Sequence, residues 1–121
     1  LKVSGPFHSS LMEPAASKLK QELLKVTISD LQIPYISNVT AQKVTDKQEI
    51  AGLLCEGIHS SVHWEQSVRY MIRQGVDTFV EIGPGRTLTG FMRKISREVR
   101  TYNISTVEDL KKVVNELCKI H

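Results

Sequence analysis

The sequence predicts an α/β fold, a mostly parallel sheet flanked by helices. Short β-favouring runs, Tyr35-Ile36-Ser37-Asn38-Val39, Thr78-Phe79-Val80-Glu81-Ile82 and Thr101 to Ile104, alternate with segments of helical period, and strands separated by helices favour parallel pairing. Glycine and proline punctuate the alternation at Gly5-Pro6, Pro34, Gly75 and Gly83-Pro84-Gly85, where the chain must turn. No internal repeat, low-complexity segment or flexible linker divides the chain, so residues 1–121 are expected to form one unit without an internal boundary.

Each element has a local cause. Ser10 followed by Glu13 reads as a capping box, and Leu11, Ala15, Leu19, Leu23 and Val26 recur near the helical period, predicting a helix from about Ser10 to Lys25 with Pro14 tolerated in its first turn. Pro34 opens the first strand, and Thr45-Asp46 starts a second helix whose apolar face is Ile50, Leu53, Leu54 and Ile58. Gly57 and Ser60-Ser61 should break that helix. A third is expected from Trp64 to Gln74, stopped by Gly75 in the left-handed position after the last turn. The run at Thr78 is the strongest strand, and Gly83-Pro84-Gly85 ends it. A helix from Thr87 to Arg97, a strand from Thr101 and a last helix from Thr106 to Ile120 complete the pattern, with Ser105 or Thr106 as cap and Glu108 and Asp109 favourably placed in the first turn.

With 121 residues, 40% of them hydrophobic, the chain can bury a modest core. No apolar run of about 18 residues exists, so no membrane span is expected, and no signal-peptide pattern stands at the start. Cys55 and Cys118 lack the spacing of a disulfide framework and fit free thiols in a reducing cytoplasm. A net charge of +3 permits an acidic partner without demanding one.

His8 is the candidate for chemistry. It stands between the Gly5-Pro6 corner and a predicted helix start, beside Phe7 as an apolar wall. The positive end of a helix disfavours an imidazolium, so a neutral ring able to accept a proton is the expected form. A solvated turn histidine is the ordinary alternative.

Three other clusters admit a chemical reading. Cys55, His59 and His63 are spaced by four, as zinc ligands on one helix face could be, yet they would span about 12 Å along a helix, too far for one ion with bonds near 2 Å. A structural role is expected there, and no metal. Gly83-Pro84-Gly85 between strand and helix invites comparison with a phosphate loop, but Leu88 occupies the position of the third glycine and Pro84 lacks an amide donor, which favours a tight corner. Arg93, Lys94 and Arg97, flanked by Arg86 and Arg100, form a basic stretch that is either a solvated helix face or a docking surface. It lacks the interleaved aromatics of a nucleic-acid site.

The stretches GPFHSSLMEPAA, PYISNVTA, VHWEQSV and VEIGPGRTLTGF, in that order over nearly the whole chain, resemble the C-terminal part of the malonyl-CoA:acyl-carrier-protein transacylase family. That resemblance implies the C-terminal part of a hydrolase-like large subdomain, following a small ferredoxin-like insertion from which Leu1 to Ser4 would return. It also implies a two-step acyl transfer with no cofactor, in which a serine is acylated by malonyl-CoA and deacylated by the pantetheine thiol of acyl carrier protein in fatty acid synthesis. His8 matches the general base of the family. Counting back from Trp64 gives Gly57 as the residue whose backbone carbonyl would hold the ring, although His59-Ser60-Ser61-Val62 stands where the family has a proline before the valine; an ordinary helix-ending glycine is the alternative for Gly57. Phe7 would favour malonyl over methyl-branched groups by crowding the extra methyl. Arg93, Lys94 and Arg97 would steer the acidic carrier.

No Gly-x-Ser-x-Gly elbow occurs in the sequence. The nucleophile, part of the oxyanion hole and the arginine for the malonyl carboxylate are therefore expected in an N-terminal serine-bearing segment outside this chain, which alone should be inactive and fold poorly. The remaining alternative is a non-catalytic α/β module that binds an acidic protein through its basic helix face.

Overall fold

The structure, a computed structural model, describes residues 5–120; the expected return segment from Leu1 to Ser4 and the chain-end His121 lie outside the described residues. The chain separates into two compact units, one up to Tyr70 and one from Met71 onward.

In the first unit a 3-10 turn, Ser10–Met12, leads into α1, Glu13–Leu23. The expected capping box does not form. Met12, with φ −93° and ψ 4°, is the residue that precedes α1, and Pro14 falls within its first two positions, where no amide hydrogen is needed. The helix therefore starts at Glu13 rather than Ser10, which removes Glu13 from the position a box requires. The first strand is shorter than its β-favouring run: β1 is Tyr35–Ile36, paired antiparallel with an unanticipated β2, Lys43–Val44, in the register Tyr35 to Val44 and Ile36 to Lys43. Ser37, only 2% exposed, begins the reversal between them, with its amide donating to the Gln42 carbonyl and its own carbonyl accepting from Ala41. A two-residue strand is too short for alternation to reveal.

The second helix, α2, is Lys47–His59 and is capped as expected, the Asp46 carboxylate accepting from the Gln48 amide at 2.8 Å. It packs on α1, with Ala16, Ile50 and Cys55 buried. Gly57 does not break α2, which continues to His59. Glycine costs about 1 kcal/mol against alanine in a helix interior, an amount that packing of the helix readily offsets. The third helix, α3, is Trp64–Arg73, and its Val68 is fully buried. Gly75 stops it as predicted: at φ 94° its amide donates to Ile72 and the Val76 amide reaches back to Met71, the Schellman arrangement that satisfies a helix end.

The second unit is a β-α-β-α run: β3, Thr78–Ile82; α4, Thr87–Ile95; β4, Arg100–Ile104; and α5, Val107–Ile120. The strands β3 and β4 pair in parallel from Thr78 with Arg100 to Ile82 with Ile104, so the parallel part of the expected sheet resides here and the pair in the first unit is antiparallel. Helices α4 and α5 pack on β4, burying Thr89, Met92 and Val113. Thr106 and Asp109 cap α5 reciprocally: the threonine hydroxyl accepts from the Asp109 amide at 3.1 Å, and the carboxylate accepts from the Ser105 and Thr106 amides at 3.0 and 3.1 Å. These bonds hold the Asp109 carboxyl below its ordinary range, the Ser105 amide contributing most.

Glu81 ties this unit together. From β3 its carboxylate accepts from the Leu88 amide at 3.1 Å, the Thr89 amide at 2.8 Å and the Thr89 hydroxyl at 2.6 Å, filling the start of α4 with negative charge where the helix dipole favours it. The Thr89 hydroxyl, then the Thr89 amide, lower its pKa. A depressed carboxylate contributes stability that is complete above its ordinary value of 4.5 and is lost as the pH falls through the lower folded value. Glu81→Gln should accordingly lower the melting temperature near neutral pH, and its deficit against the parent should shrink as the pH falls below 4.5. Thermal unfolding followed at several pH values checks this; a deficit that stays constant over that range would assign the effect to packing.

Candidate active site

His8 lies in a turn between Pro6 and Ser9 with φ 60°, a left-handed conformation that is sparse for residues with a Cβ and costs about 1–3 kcal/mol. Three hydrogen bonds hold it there. The His8 amide donates to the Ile58 carbonyl at 3.0 Å, the Ser9 hydroxyl donates to the Pro6 carbonyl at 2.6 Å, and the ring Nδ1 stands 2.8 Å from the Gly57 carbonyl. A carbonyl oxygen only accepts, so the partner assigns the proton to Nδ1, which in the neutral ring leaves the lone pair on Nε2. The residue is exposed.

Both carbonyls that receive His8 come from the last turn of α2, the negative end of that helix. The helix start ahead of His8 is displaced to Glu13, whereas the end of α2 is in direct contact with the turn.

Gly57 owes nothing to a side chain here. A Cβ built on it would meet only Val39 Cγ2, at 3.8 Å, an ordinary contact. Val39, Asn38 and Gly57 share the wall of a groove of about 410 Å³ that also takes in Tyr35, Leu53 and Ile58. The segment that follows α2 is pinned beside it, the His63 amide donating to the Asn38 carbonyl at 2.9 Å. Phe7 is 55% exposed, and its ring edge lies close over Gly5, where a Cβ would sit 3.3 Å from Cε2.

The remaining candidates are distributed elsewhere. Arg93 and Lys94 occupy the last turn of α4. That helix ends at Ile95 rather than Arg97, so Arg97 follows in the loop, and Arg93 and Arg97 line a groove of about 290 Å³ with Ser96, Val99 and Thr101. Cys55 is buried and Cys118 exposed, both free thiols. Among the described residues no three His, Cys, Asp or Glu side chains converge as metal ligands, and no helix is long and apolar enough to cross a membrane. The Gly83-Pro84-Gly85 run is a corner: the Ser105 hydroxyl donates to the Gly83 carbonyl at 3.1 Å and Asn103 Nδ2 to the Gly85 carbonyl at 2.8 Å. The amides of α4 that would cradle a phosphate already serve Glu81, whose charge would repel one.

Sequence reasoning missed the Ile58 carbonyl, the Ser9 hydroxyl and the Glu81 bridge. The first two depend on a left-handed residue 8, which no local signal announces. A glutamate near the end of a strand, seven residues before a helix amide, was a visible pattern for the third.

No family model matches the chain. Curated relatives do: the malonyl CoA-acyl carrier protein transacylase of Bacillus subtilis is 44% identical over 117 residues, which are 97% of this chain and 37% of that protein. Among solved structures, the malonyl CoA-acyl carrier protein transacylase of Clostridium perfringens superimposes with a TM-score of 0.89 at 38% identity, over 99% of this chain and 38% of that one. A malonyl-transacylase solved in complex with its type II polyketide acyl-carrier protein matches with a TM-score of 0.88 at 31% identity, over 96% of this chain and 38% of its own. Fold and sequence together define an α/β segment of the acyltransferase class. More particularly, the chain belongs to the malonyl-CoA:acyl-carrier-protein transacylase family, and it spans about 37% of the length of the curated relatives it matches.

Proposed function

We propose that this chain is the histidine-bearing part of an enzyme that moves malonyl from CoA to the phosphopantetheine thiol of an acyl carrier protein in the cytoplasm. The observation that carries the proposal is the bond of 2.8 Å between His8 Nδ1 and the Gly57 carbonyl, which selects the tautomer a general base needs. In the first step Nε2 removes the proton of a serine hydroxyl supplied by the N-terminal segment as its oxygen attacks the malonyl thioester. The proton then passes to the departing CoA thiolate. In the second step Nε2 takes the proton of the carrier thiol, whose sulfur attacks the acyl-serine, and returns it to the serine oxygen. No cofactor or metal is needed, because the carbon acid is not deprotonated and the imidazole alone cycles the proton.

Phe7 is assigned to the acyl pocket and would disfavour methyl-branched groups through the bulk of its ring. Arg93, Lys94 and Arg97 are assigned to carrier docking, supported by the groove two of them line and by the cationic face at the end of α4. Reversing charge with Arg93→Glu and Lys94→Glu in the complete enzyme should lower kcat/KM for the carrier about tenfold or more at low salt, while hydrolysis of malonyl-CoA stays unchanged. Steady-state kinetics at two ionic strengths checks this; unchanged carrier turnover ends the docking role.

Joining the chain to a serine-bearing N-terminal segment tests the whole reading. Radiolabelled malonyl transfer to the carrier is expected from the joined protein and from neither part alone. Carrier binding without transfer, in every pairing, would favour a non-catalytic module that binds an acidic protein.

A further inference from the structure

We propose that Ser9 is a positioning residue for the histidine base, an inference that rests on the catalytic reading of His8. The ring reaches Gly57 only because residue 8 adopts φ 60°, and a non-glycine residue keeps that conformation only where its surroundings over-determine it. Two of the three bonds that do so, from the His8 amide to Ile58 and from Nδ1 to Gly57, run to α2 and form when the turn docks. The third lies within the turn itself. The Ser9 hydroxyl donates to the Pro6 carbonyl at 2.6 Å and brackets residue 8 from both sides.

Two features make this bond specific to the site. Pro6 has a fixed φ and no amide hydrogen, so its carbonyl is its one backbone polar group, and the side chain of Ser9 is what it engages. The Ser9 carbonyl in turn accepts from the Met12 amide at 3.0 Å, at the 3-10 turn that opens α1. Ser9 thus couples the histidine turn to the start of one helix while His8 couples it to the end of another. Without the hydroxyl the turn can relax toward ordinary φ values, which swings Nδ1 away from Gly57 and frees the ring to change tautomer.

The test uses the complete serine-bearing enzyme with Ser9→Ala, Ser9→Thr, Ser9→Cys and His8→Ala variants. Ser9→Ala should lower kcat for malonyl transfer about tenfold or more, leave KM for malonyl-CoA within about twofold, and weaken the downfield proton resonance of Nδ1–H. Ser9→Thr, which keeps the hydroxyl, should restore both readouts. Ser9→Cys, which keeps the volume but donates weakly, should fall between them. If Ser9→Ala or Ser9→Cys matches the parent in kcat and in the resonance while His8→Ala abolishes transfer, the role of Ser9 is overturned and that of His8 stands. Failure of Ser9→Thr to recover either readout in a folded protein also overturns the role of the hydroxyl. If His8→Ala leaves transfer intact, the catalytic reading fails and this inference with it.

Discussion

His8→Ala in the complete enzyme is expected to slow malonyl transfer to the carrier by about 10²–10⁴-fold, the range that loss of a positioned general base produces. The substitution removes the group with a free Nε2 and leaves the fold intact, because the residue is exposed and contributes no core packing. KM for malonyl-CoA should change little, since a base that acts on the nucleophile makes its contribution in the transition state. Rapid-quench measurement of the acyl-enzyme separates the two half-reactions. Both should slow, because in the proposed mechanism the same ring serves serine and carrier thiol in turn. Slowing of the carrier half-reaction alone would place His8 in thiol activation only, and a variant with parental rates would remove it from the chemistry.

A comparable loss should follow from Ile58→Pro, which alters no atom of the imidazole. Proline at 58 deletes an amide of the last turn of α2 and drives residue 57 out of the helical region. The Gly57 carbonyl then rotates away from Nδ1, and the Ile58 carbonyl that anchors the His8 amide moves with it. Activity should fall by about 10²-fold, alongside roughly 3 kcal/mol of stability. Gly57→Ala is the paired control. Its new methyl would meet only Val39 at 3.8 Å and leaves the carbonyl in place, so activity should be retained and stability should rise by about 0.5–1 kcal/mol. Equal loss of activity in both variants would assign the site to the glycine itself rather than to its carbonyl. Circular dichroism, run beside the kinetics, separates a displaced carbonyl from an unfolded chain.

The second unit was legible because its signals are local and agree with one another. Thr78–Ile82 is β-branched and aromatic, Gly75 sits where a left-handed residue is needed, and Thr106 with Asp109 form a cap within four residues. The first unit was harder. Its strands are two residues long, and the helix start near His8 is decided by how Met12 and Pro14 share the first turn rather than by the nearest serine. Identity and tautomer of the candidate base diverge in the same way. Histidine beside a Gly-Pro corner drew attention in the sequence, and the resemblance pointed to the Gly57 carbonyl. The Ile58 anchor and the negative helix end behind the ring arise from contacts 49 and 50 residues apart in sequence, which no local pattern encodes.

Under the proposed role of His8, the left-handed turn at residue 8 sets stability and activity against each other. Glycine would occupy φ 60° without steric cost, so selection for a firmer fold alone would replace the histidine with it. Any effort to harden this segment by consensus or by scoring residues against the backbone should therefore hold position 8 fixed, because the residue that best suits the turn is one that cannot carry a proton.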